Sequence, residues 1–427
     1  MTTIEQILEG IKKGRALYES VRGSVSLSTE LPGNELFLGD NLTYMKELLE
    51  RGCSGAFKLI YIDPPFFTRS SFNASVKVTG AEGKSYRIHH LAYDDKFDRN
   101  LEYYIENMTA RLLMMKDLLA DDGLMWVHLD WHSSHYIKLV LDELMGAGNF
   151  VNEIVWCYKS GGSGKKHFAR KHDTILVYSK TKAYHINVPT EKSYNRDYRA
   201  YRFKGVKEYQ DEKGWYTLVN MKDVWNIDMV GRTSAERTGY ATQKPLELAR
   251  RIIEASTEEG DLVGDFFCGS GSVLEASYEL GRVFAGCDSE DLAAAMSRKR
   301  LKKAGAEFRF LRETEASGRT GRADITVISR DELADGRYLY RCSLTDFVPD
   351  IETGSIRMKD RAYVDEAIVS DRLQFADHVM VDPDFDGKFE CKYIFDIKSE
   401  EITFISDGRP ALTVVDIFGR EYAAEVN

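Results

Sequence analysis

The segment from Asp261 to Asp288 constrains the fold more than any other, because it has the pattern of a strand, a glycine-rich turn, a helix and a second strand. Gly269 and Gly271 allow the backbone to turn tightly and to approach a ligand closely. The helix is expected at about 272–280, and the strand after it ends in the acid Asp288. Strand–helix–strand units of this kind predict a doubly wound α/β fold with a mainly parallel sheet.

Two missing signatures narrow the kind of ligand that this turn could bind. A phosphate loop would have Gly-Lys-Ser/Thr, which is missing here, and a dinucleotide fingerprint would have a third glycine where Leu274 stands. The helix directs backbone N–H groups toward a negative group, and Asp288 can accept hydrogen bonds from both hydroxyls of a ribose. The spacing fits S-adenosylmethionine (AdoMet), with its carboxylate at the loop amides and its ribose at Asp288. A purely structural strand–turn–helix is the alternative.

A second strand end, Leu-Ile-Tyr-Ile-Asp-Pro-Pro-Phe-Phe at 59–67, carries the candidate catalytic residues. Its apolar residues predict a buried parallel strand, which must stop at Pro64 because proline has no amide hydrogen for a ladder. Asp63 and the Pro64 carbonyl are then two fixed acceptors, and Phe66 offers a flat ring beside both. This set suits the exocyclic amine of a planar base that has left its duplex. A structural turn is again the alternative.

The Asp-Pro-Pro-Phe turn resembles motif IV of the DNA methyltransferases that methylate exocyclic amines. The segment Gly-Tyr-Ala-Thr-Gln-Lys-Pro-Leu-Glu-Leu at 239–248 resembles motif X of that family, which lines the methionine end of AdoMet just ahead of motif I. By the same resemblance Asp40, after a short strand, approaches the adenine ring of the cofactor, although by residue type it could be a helix cap. The catalytic motif precedes the cofactor motif, which is the permuted beta-group order. Residues 223–245 look like the modification subunits of type III restriction systems.

The resemblance covers about residues 31–303 and implies a site. The implied catalytic residues are Asp63, Pro64, Pro65 and Phe66. The implied AdoMet contacts are Asp40, Gln243, Lys244, Pro245, Asp265, Phe266, Cys268, Gly269, Gly271 and Asp288. In this family an initial Asp in the catalytic turn goes with N6 of adenine and an initial Ser with N4 of cytosine, so we expect adenine, with cytosine as the alternative.

The expected architecture is a doubly wound, Rossmann-like α/β methyltransferase sheet with permuted strand order, an inserted target-recognition segment and a C-terminal β-rich domain. The expected parts are an N-terminal helix at 1–30, a catalytic half at 31–180, a target-recognition insert at 181–240, an AdoMet-binding half at 241–303 and the β-rich domain, of unknown role, at 304–427. We also expect a mobile loop at 67–98. A strand pair at 153–158 and 174–178 should be joined by a glycine loop at 161–164.

Positive charge is concentrated in the middle of the chain, although the net charge is -10. Between residues 151 and 245 there are 18 Lys and Arg against 10 Asp and Glu, whereas the rest has 40 against 58. Basic residues interleaved with aromatic ones suit contact with a DNA backbone or an unstacked base. The DNA-binding candidates are Lys165, Lys166, Arg170, Lys171, Arg196, Arg199, Arg202 and Lys204. A solvated surface hairpin is the alternative.

Two other kinds of site fit the sequence less well. His128, Asp130, His132 and His135 are candidate metal ligands, and the first three would share one face of a strand. Methyl transfer needs no metal, so we expect none and interpret these residues as a cleft rim beside the rotated base. The segment 383–392 contains a Pro-Asp and a Glu-Cys-Lys that resemble a nuclease centre. A hairpin turn explains their short spacing better.

The six cysteines are scattered without a Cys-x-x-Cys pair, and no apolar run has the length of a bilayer span. With no basic leader at the start, these features predict a cytoplasmic protein without a membrane segment. The expected partner is double-stranded DNA, and a restriction subunit or a second copy of the chain are further candidates. An AdoMet-binding recognition subunit without turnover and a small-molecule methyltransferase are alternative functions.

Overall fold

The computed structural model describes residues 1–427 apart from 24–29, 96–99, 160–164, 232, 241, 314–320, 352, 388 and 399. The expected glycine loop at 161–164 and Ala241 of the motif X segment lie outside the described residues.

The α-helices are α1 (Thr3–Val21), α2 (Asn41–Glu50), α3 (Leu101–Leu118), α4 (Ser134–Leu141), α5 (Leu246–Ser256), α6 (Ser272–Glu279), α7 (Asp291–Lys303) and α8 (Arg361–Ser370). Among the described residues, no helix is both long enough and apolar enough to cross a bilayer.

The strands follow the same chain order. They are β1 (Glu35–Leu38), β2 (Phe57–Ile62), β3 (Ser71–Thr79), β4 (Ser85–Asp94), β5 (Leu119–Leu129), β6 (Phe150–Cys157), β7 (His172–Ser179), β8 (Thr190–Tyr194), β9 (Glu208–Asp211), β10 (Gly214–Asn220), β11 (Val224–Asn226), β12 (Leu262–Asp265), β13 (Val283–Asp288), β14 (Arg309–Arg312), β15 (Arg322–Glu332), β16 (Tyr338–Val348), β17 (Ala376–Asp382), β18 (Tyr393–Asp396), β19 (Ile402–Ser406), β20 (Ala411–Asp416) and β21 (Glu421–Val426).

The main sheet has nine strands in the order β11-β6-β7-β5-β2-β12-β13-β1-β14. Its pairs are parallel except the two that β7 makes with β5 and β6. One face packs against α1 to α4 and the other against α5 and α6. The predicted doubly wound sheet is therefore confirmed, and so is the predicted strand pair, which is β6 and β7.

The permuted order shows in the centre of the sheet, where β2 pairs directly with β12. Val263 lies opposite Leu59, and Gly264 lies opposite Ile60. Parallel neighbours end at the same edge of a sheet. The turn after β2 and the turn after β12, which are far apart in sequence, therefore emerge side by side.

The expected loop at 67–98 was wrong for most of its length, because β3 and β4 form an antiparallel hairpin there. Val78 and Ile88 of this hairpin are buried in the same apolar core as the C-terminal domain. Gln374 of that domain bonds both the N–H and the carbonyl of Thr79, and Tyr363 stacks on Tyr86 at 4.3 Å. The hairpin is ordered by these distant partners, which local sequence does not reveal.

The remaining strands form two further sheets. The insert contains a three-stranded sheet in the order β8-β10-β9. The C-terminal domain is a seven-stranded sheet in the order β18-β17-β20-β21-β15-β16-β19. It contacts the methyltransferase sheet through α7, where buried Arg298 forms an ion pair with Glu421 at 2.6 Å.

Candidate active site

The turns after β2 and β12 open into one cleft with a volume of about 280 Å³. The predicted residues that line it are Asp40, Asp63, Pro64, Pro65, Phe66, Lys244, Asp265, Phe266, Cys268, Gly269 and Asp288. Gln243, Pro245 and Gly271 do not line it. The structure thus brings the candidate catalytic turn and the candidate cofactor turn into one space.

The segment that resembles motif X reaches the cleft through Tyr240, Thr242 and Lys244. The ammonium of Lys244 forms an ion pair with Asp63. Gln243 is instead buried in its own loop, where its Oε1 accepts the N–H of Thr238 at 2.8 Å and its Nε2 donates to the Glu236 carbonyl at 2.6 Å. Pro245 precedes α5 as its N-cap. The contacts of Gln243 and Pro245 therefore shape the loop that carries Lys244.

The glycine turn is held by Asp288. The N–H of Gly269 donates to Asp288 Oδ2 at 2.8 Å, and the N–H of Glu290 donates to Oδ1 at 3.1 Å. Both glycines have a positive φ, 51° at Gly269 and 73° at Gly271, and a Cβ at Gly271 would lie 2.7 Å from Ser297 Oγ. The turn therefore requires glycine for conformation and for space. Asp288 keeps acceptor capacity, because an ionised carboxylate has about four lone-pair sites.

Several acids crowd this end of the cleft. Burial raises the pKa of Asp265 well above its usual value, and the charges of Asp63 and Asp288 add to that shift. Burial, together with the charges of Asp288 and Asp291, raises the pKa of Glu290 to about 7. Perturbed acids that share a cleft are typical of functional sites. Glu290 was not predicted. Its position two residues after Asp288, which ends β13, could have indicated that it lines the cleft.

Asp40 is the N-cap of α2, since its Oδ1 accepts the N–H of Leu42 at 2.8 Å. Its Oδ2 accepts Arg111 Nη2 at 2.8 Å, and Arg111 Nε donates to Asn41 Oδ1 at 2.7 Å. Asn41 and Arg111 both line the cleft and were missed. Arg111 lies on the amphipathic helix α3, and nothing in the sequence of that helix indicates that Arg111 faces Asp40, just after β1.

The candidate catalytic turn is fixed from two sides. The Tyr104 hydroxyl donates to the Pro65 carbonyl at 3.0 Å. Buried Asp95 accepts the N–H of Phe67 at 3.1 Å, the N–H of Thr68 at 2.7 Å and the hydroxyl of Thr68 at 2.6 Å. Burial raises the pKa of Asp95, while the bonds from Thr68 and Phe67 oppose the rise. Asp95, which was not predicted, holds the turn where the hairpin begins and ends.

His128 is fully buried beside this turn rather than exposed on a rim. Its Nδ1 bonds the Tyr61 hydroxyl at 2.8 Å and its Nε2 bonds Asp173 Oδ2 at 3.2 Å. Its ring stacks near Phe66, with centroids 6.1 Å apart and planes at 21°. Among the described residues, no group of three or more His, Cys, Asp or Glu side chains could hold a metal ion.

The first group of basic candidates leaves the sheet at the cleft edge. Leu129 at the end of β5 lies opposite Thr174 of β7, and Cys157 at the end of β6 lies opposite His172. The connection from β6 to β7, which carries Lys165, Lys166, Arg170 and Lys171, therefore emerges at that edge. Arg170 stacks on Trp131, which follows β5, at 3.9 Å from the ring centre.

The second group, Arg196, Arg199, Arg202 and Lys204, lies in the connection between β8 and β9. That connection belongs to the separate three-stranded sheet, and none of the four residues lines the cleft. Glu208 of β9 holds it by accepting the N–H groups of Tyr201 and Arg202 at 2.9 and 2.7 Å.

The chain is similar to one protein family and to several known proteins. Residues 57–299 match the N6/N4 methyltransferase family, described as DNA methylase. The type II methyltransferase M.EcaI of Enterobacter cloacae is 30% identical over 63% of this chain and 69% of its own length. A probable type III restriction-modification enzyme HindVI Mod subunit of Haemophilus influenzae is 22% identical over 63% of this chain and 50% of its own length. The crystal structure of the M1.HpyAVI–SAM complex is 20% identical, covers 62% of this chain and 98% of that chain, and has a TM-score of 0.40.

The family match spans more than half of the chain and includes both turns of the cleft. The relatives include type II as well as type III enzymes. This chain belongs to the N6/N4 family of AdoMet-dependent DNA methyltransferases.

Proposed function

We propose that the chain methylates N6 of adenine at a specific site in double-stranded DNA, after the base has rotated out of the helix. The observation that carries this proposal is that Asp63 and Gly269 line the same cleft. An acceptor for an amine and a binding turn for AdoMet then face one space. The choice of adenine is supported by the initial Asp of the catalytic turn, which the resembled family associates with N6-adenine.

The proposed role of the catalytic turn follows from the chemistry of the amine. Its lone pair is delocalised into the base, so the amine is a poor nucleophile. Asp63 and the Pro64 carbonyl accept its two hydrogens, which favours the pyramidal geometry and positive charge of the transition state. Phe66 stacks on the base and limits its orientation. Removal of one such preorganised group costs about 2.7–4 kcal/mol.

The glycine turn and the acids around it fit AdoMet, which supplies an electrophilic methyl group when bound. The turn is tight enough that a side chain at Gly271 would meet Ser297, and α6 begins directly after it, so the first N–H groups of α6 are directed toward the proposed position of the AdoMet carboxylate. Asp288 and Glu290 offer acceptors for ribose hydroxyls, and Asp265 offers one for an amino group. Asp40 and Arg111 close the end of the cleft where the adenine ring is proposed to lie.

The basic connection between β6 and β7 is the proposed DNA-backbone contact nearest the cleft. Lys165, Lys166, Phe168 and Arg170 are all exposed, and Phe168 is 99% exposed. Lys and Arg side chains at the mouth of the cleft would neutralise phosphates on either side of the rotated base. The second basic group, in the insert, is proposed to contact DNA farther from the reacting base.

A restriction subunit is the proposed protein partner, supported by the relative described as a probable HindVI Mod subunit. A second copy of the chain is the other proposed partner. Sedimentation of the purified chain alone, and its co-purification with a restriction subunit encoded beside it, would test these two partners. A monomer that captures no such subunit would remove both.

Mass analysis of nucleosides tests the proposed function. DNA from a host that expresses the chain should contain N6-methyladenine, and the same host with Asp63→Ala should not. N4-methylcytosine would overturn the choice of base. AdoMet binding without any methylated base would favour a recognition subunit without turnover.

A further inference from the structure

Lys244 touches the candidate catalytic turn rather than open space in the cofactor half of the cleft. Its ammonium pairs with Asp63 Oδ2 and lies 5.5 Å from the centre of the Phe66 ring. The side chains of Lys244 and Asp63 are 12% and 18% exposed. An ion pair at this depth is screened much less than a surface pair.

The backbone of Lys244 is attached to the cofactor turn. Its carbonyl accepts the hydroxyl of Ser272 at 2.8 Å, and Ser272 is the first residue of α6, directly after the glycines. Pro245 follows and caps α5, where its carbonyl accepts the N–H of Leu248 at 3.1 Å. Lys244 is therefore fixed to the AdoMet half of the site by its backbone and to the catalytic half by its side chain.

This pairing makes the two carboxylate oxygens of Asp63 inequivalent. Oδ2 is occupied by Lys244, whereas Oδ1 is buried and has no hydrogen-bond partner among the described residues. A buried acceptor without a donor is destabilising, and such exceptions in folded proteins call for an explanation. The amine hydrogen of a target base is the donor that the proposed function supplies.

The charge of Lys244 acts on a group of carboxylates. Burial would raise the pKa of Asp173, but the hydrogen bond to His128 and the charges of His128 and Lys244 hold it below its usual value. Lys244 also opposes the rise in the pKa of Asp265 that burial causes. Lys244 thus offsets part of the repulsion among Asp63, Asp173 and Asp265.

We propose that Lys244 is a positioning residue of the methyl-transfer reaction. Its ammonium holds Asp63 by Oδ2, so that Oδ1 is presented to the exocyclic amine of the target base. This inference rests on the proposed role of Asp63. It differs from the expected contact of Lys244 with AdoMet, because the side chain acts on the acceptor and not on the methyl donor.

Two variants separate charge from shape. Lys244→Met keeps the length of the side chain and removes its charge, whereas Lys244→Arg keeps the charge. Since a displacement of about 1 Å in a catalytic group can cost roughly 100-fold in rate, Lys244→Met should lower the single-turnover rate by about that factor. The dissociation constant of AdoMet should stay within a few-fold, and Lys244→Arg should recover much of the rate. Lys58→Met is the matched control. Lys58 also forms an ion pair with an aspartate, Asp122, but it lies at the start of β2, whereas Asp63 follows the end of that strand.

A double-mutant cycle tests whether Lys244 acts through Asp63. If it does, Lys244→Met combined with Asp63→Asn should be no slower than Asp63→Asn alone. Additive losses would overturn the proposal, and so would an unchanged rate with much weaker AdoMet binding in Lys244→Met. Full turnover by Asp63→Asn would instead refute the proposed function. The two failures are therefore distinguishable.

Discussion

Replacement of Asp95 by alanine should disable the catalytic turn without disturbing the AdoMet turn. Asp95 is 1% exposed and accepts three hydrogen bonds from Phe67 and Thr68, directly after Phe66. Hydrogen bonds to a charged group contribute about 1.5–3 kcal/mol. Burial raises the pKa of Asp95 and so opposes these bonds. The expected loss is therefore about that of one such bond rather than of three.

A loss of about 1.5–3 kcal/mol in the ordered turn corresponds to roughly 10- to 150-fold in its population. Asp95→Ala should therefore lower kcat by a factor in this range. The global free energy of unfolding should change less, because the loss is confined to a turn that can open locally.

The assay is single-turnover transfer of a tritiated methyl group from AdoMet to DNA, with AdoMet affinity measured by calorimetry. Asp95→Asn should recover part of the rate, because its amide oxygen still accepts one of the bonds. Asp122→Ala is the control, since Asp122 is near the start of β5 and pairs with Lys58 at the start of β2, whereas the catalytic turn follows the end of β2. A full rate in Asp95→Ala, or an equal loss of AdoMet affinity, would refute the reasoning.

Further predictions concern the cofactor turn, the domain contact and the DNA surface. Gly271→Val should weaken AdoMet binding by about tenfold or more, because a Cβ there meets Ser297 and a positive φ costs about 1–2 kcal/mol. Gly55→Ala, at a positive φ with open space around it, should leave calorimetric AdoMet affinity unchanged. Glu421→Gln should destabilise the fold by about 3–5 kcal/mol in denaturant unfolding, because it leaves a buried guanidinium unpaired. A loss below about 1 kcal/mol, which is ordinary for a point substitution, would argue against this role. Burial would raise the pKa of Glu421, but two arginines hold it below its usual value. The stabilisation by Glu421 is therefore present above the usual glutamate pKa and is lost as the pH falls below it. The gap between wild type and Glu421→Gln should therefore narrow below that pH. Lys165→Ala with Lys166→Ala should reduce the slope of log K against log salt by about one per lost phosphate contact, and an unchanged slope in a DNA-binding titration would place these lysines off the DNA.

The sequence predicted those parts of the site that have local signals. Gly269 and Gly271 mark a turn that needs positive φ, and Pro64 marks a strand end, so both turns could be placed before the fold was known. Their convergence follows from the direct pairing of β2 with β12, because parallel neighbours end at one edge of a sheet. The register of Val263 against Leu59 confirms that convergence.

The parts that sequence did not predict depend on partners distant in the chain. Asp95 acts on Thr68 from the far end of a hairpin whose packing comes from the C-terminal domain. Arg111 reaches Asp40 from a helix whose sequence is ordinary. Lys244 was assigned to the cofactor by resemblance, yet its side chain pairs with Asp63. Each of these contacts is fixed by tertiary packing and not by spacing.

The most direct test of a shared cleft is the methyl-transfer rate of Asp63→Ala, measured in one turnover beside its AdoMet dissociation constant. If the carboxylate of Asp63 faces the amine while AdoMet is held by the other turn, transfer should fall by about 100- to 1,000-fold. AdoMet affinity should stay within a few-fold of the wild-type value. Transfer at close to the wild-type rate would contradict the account.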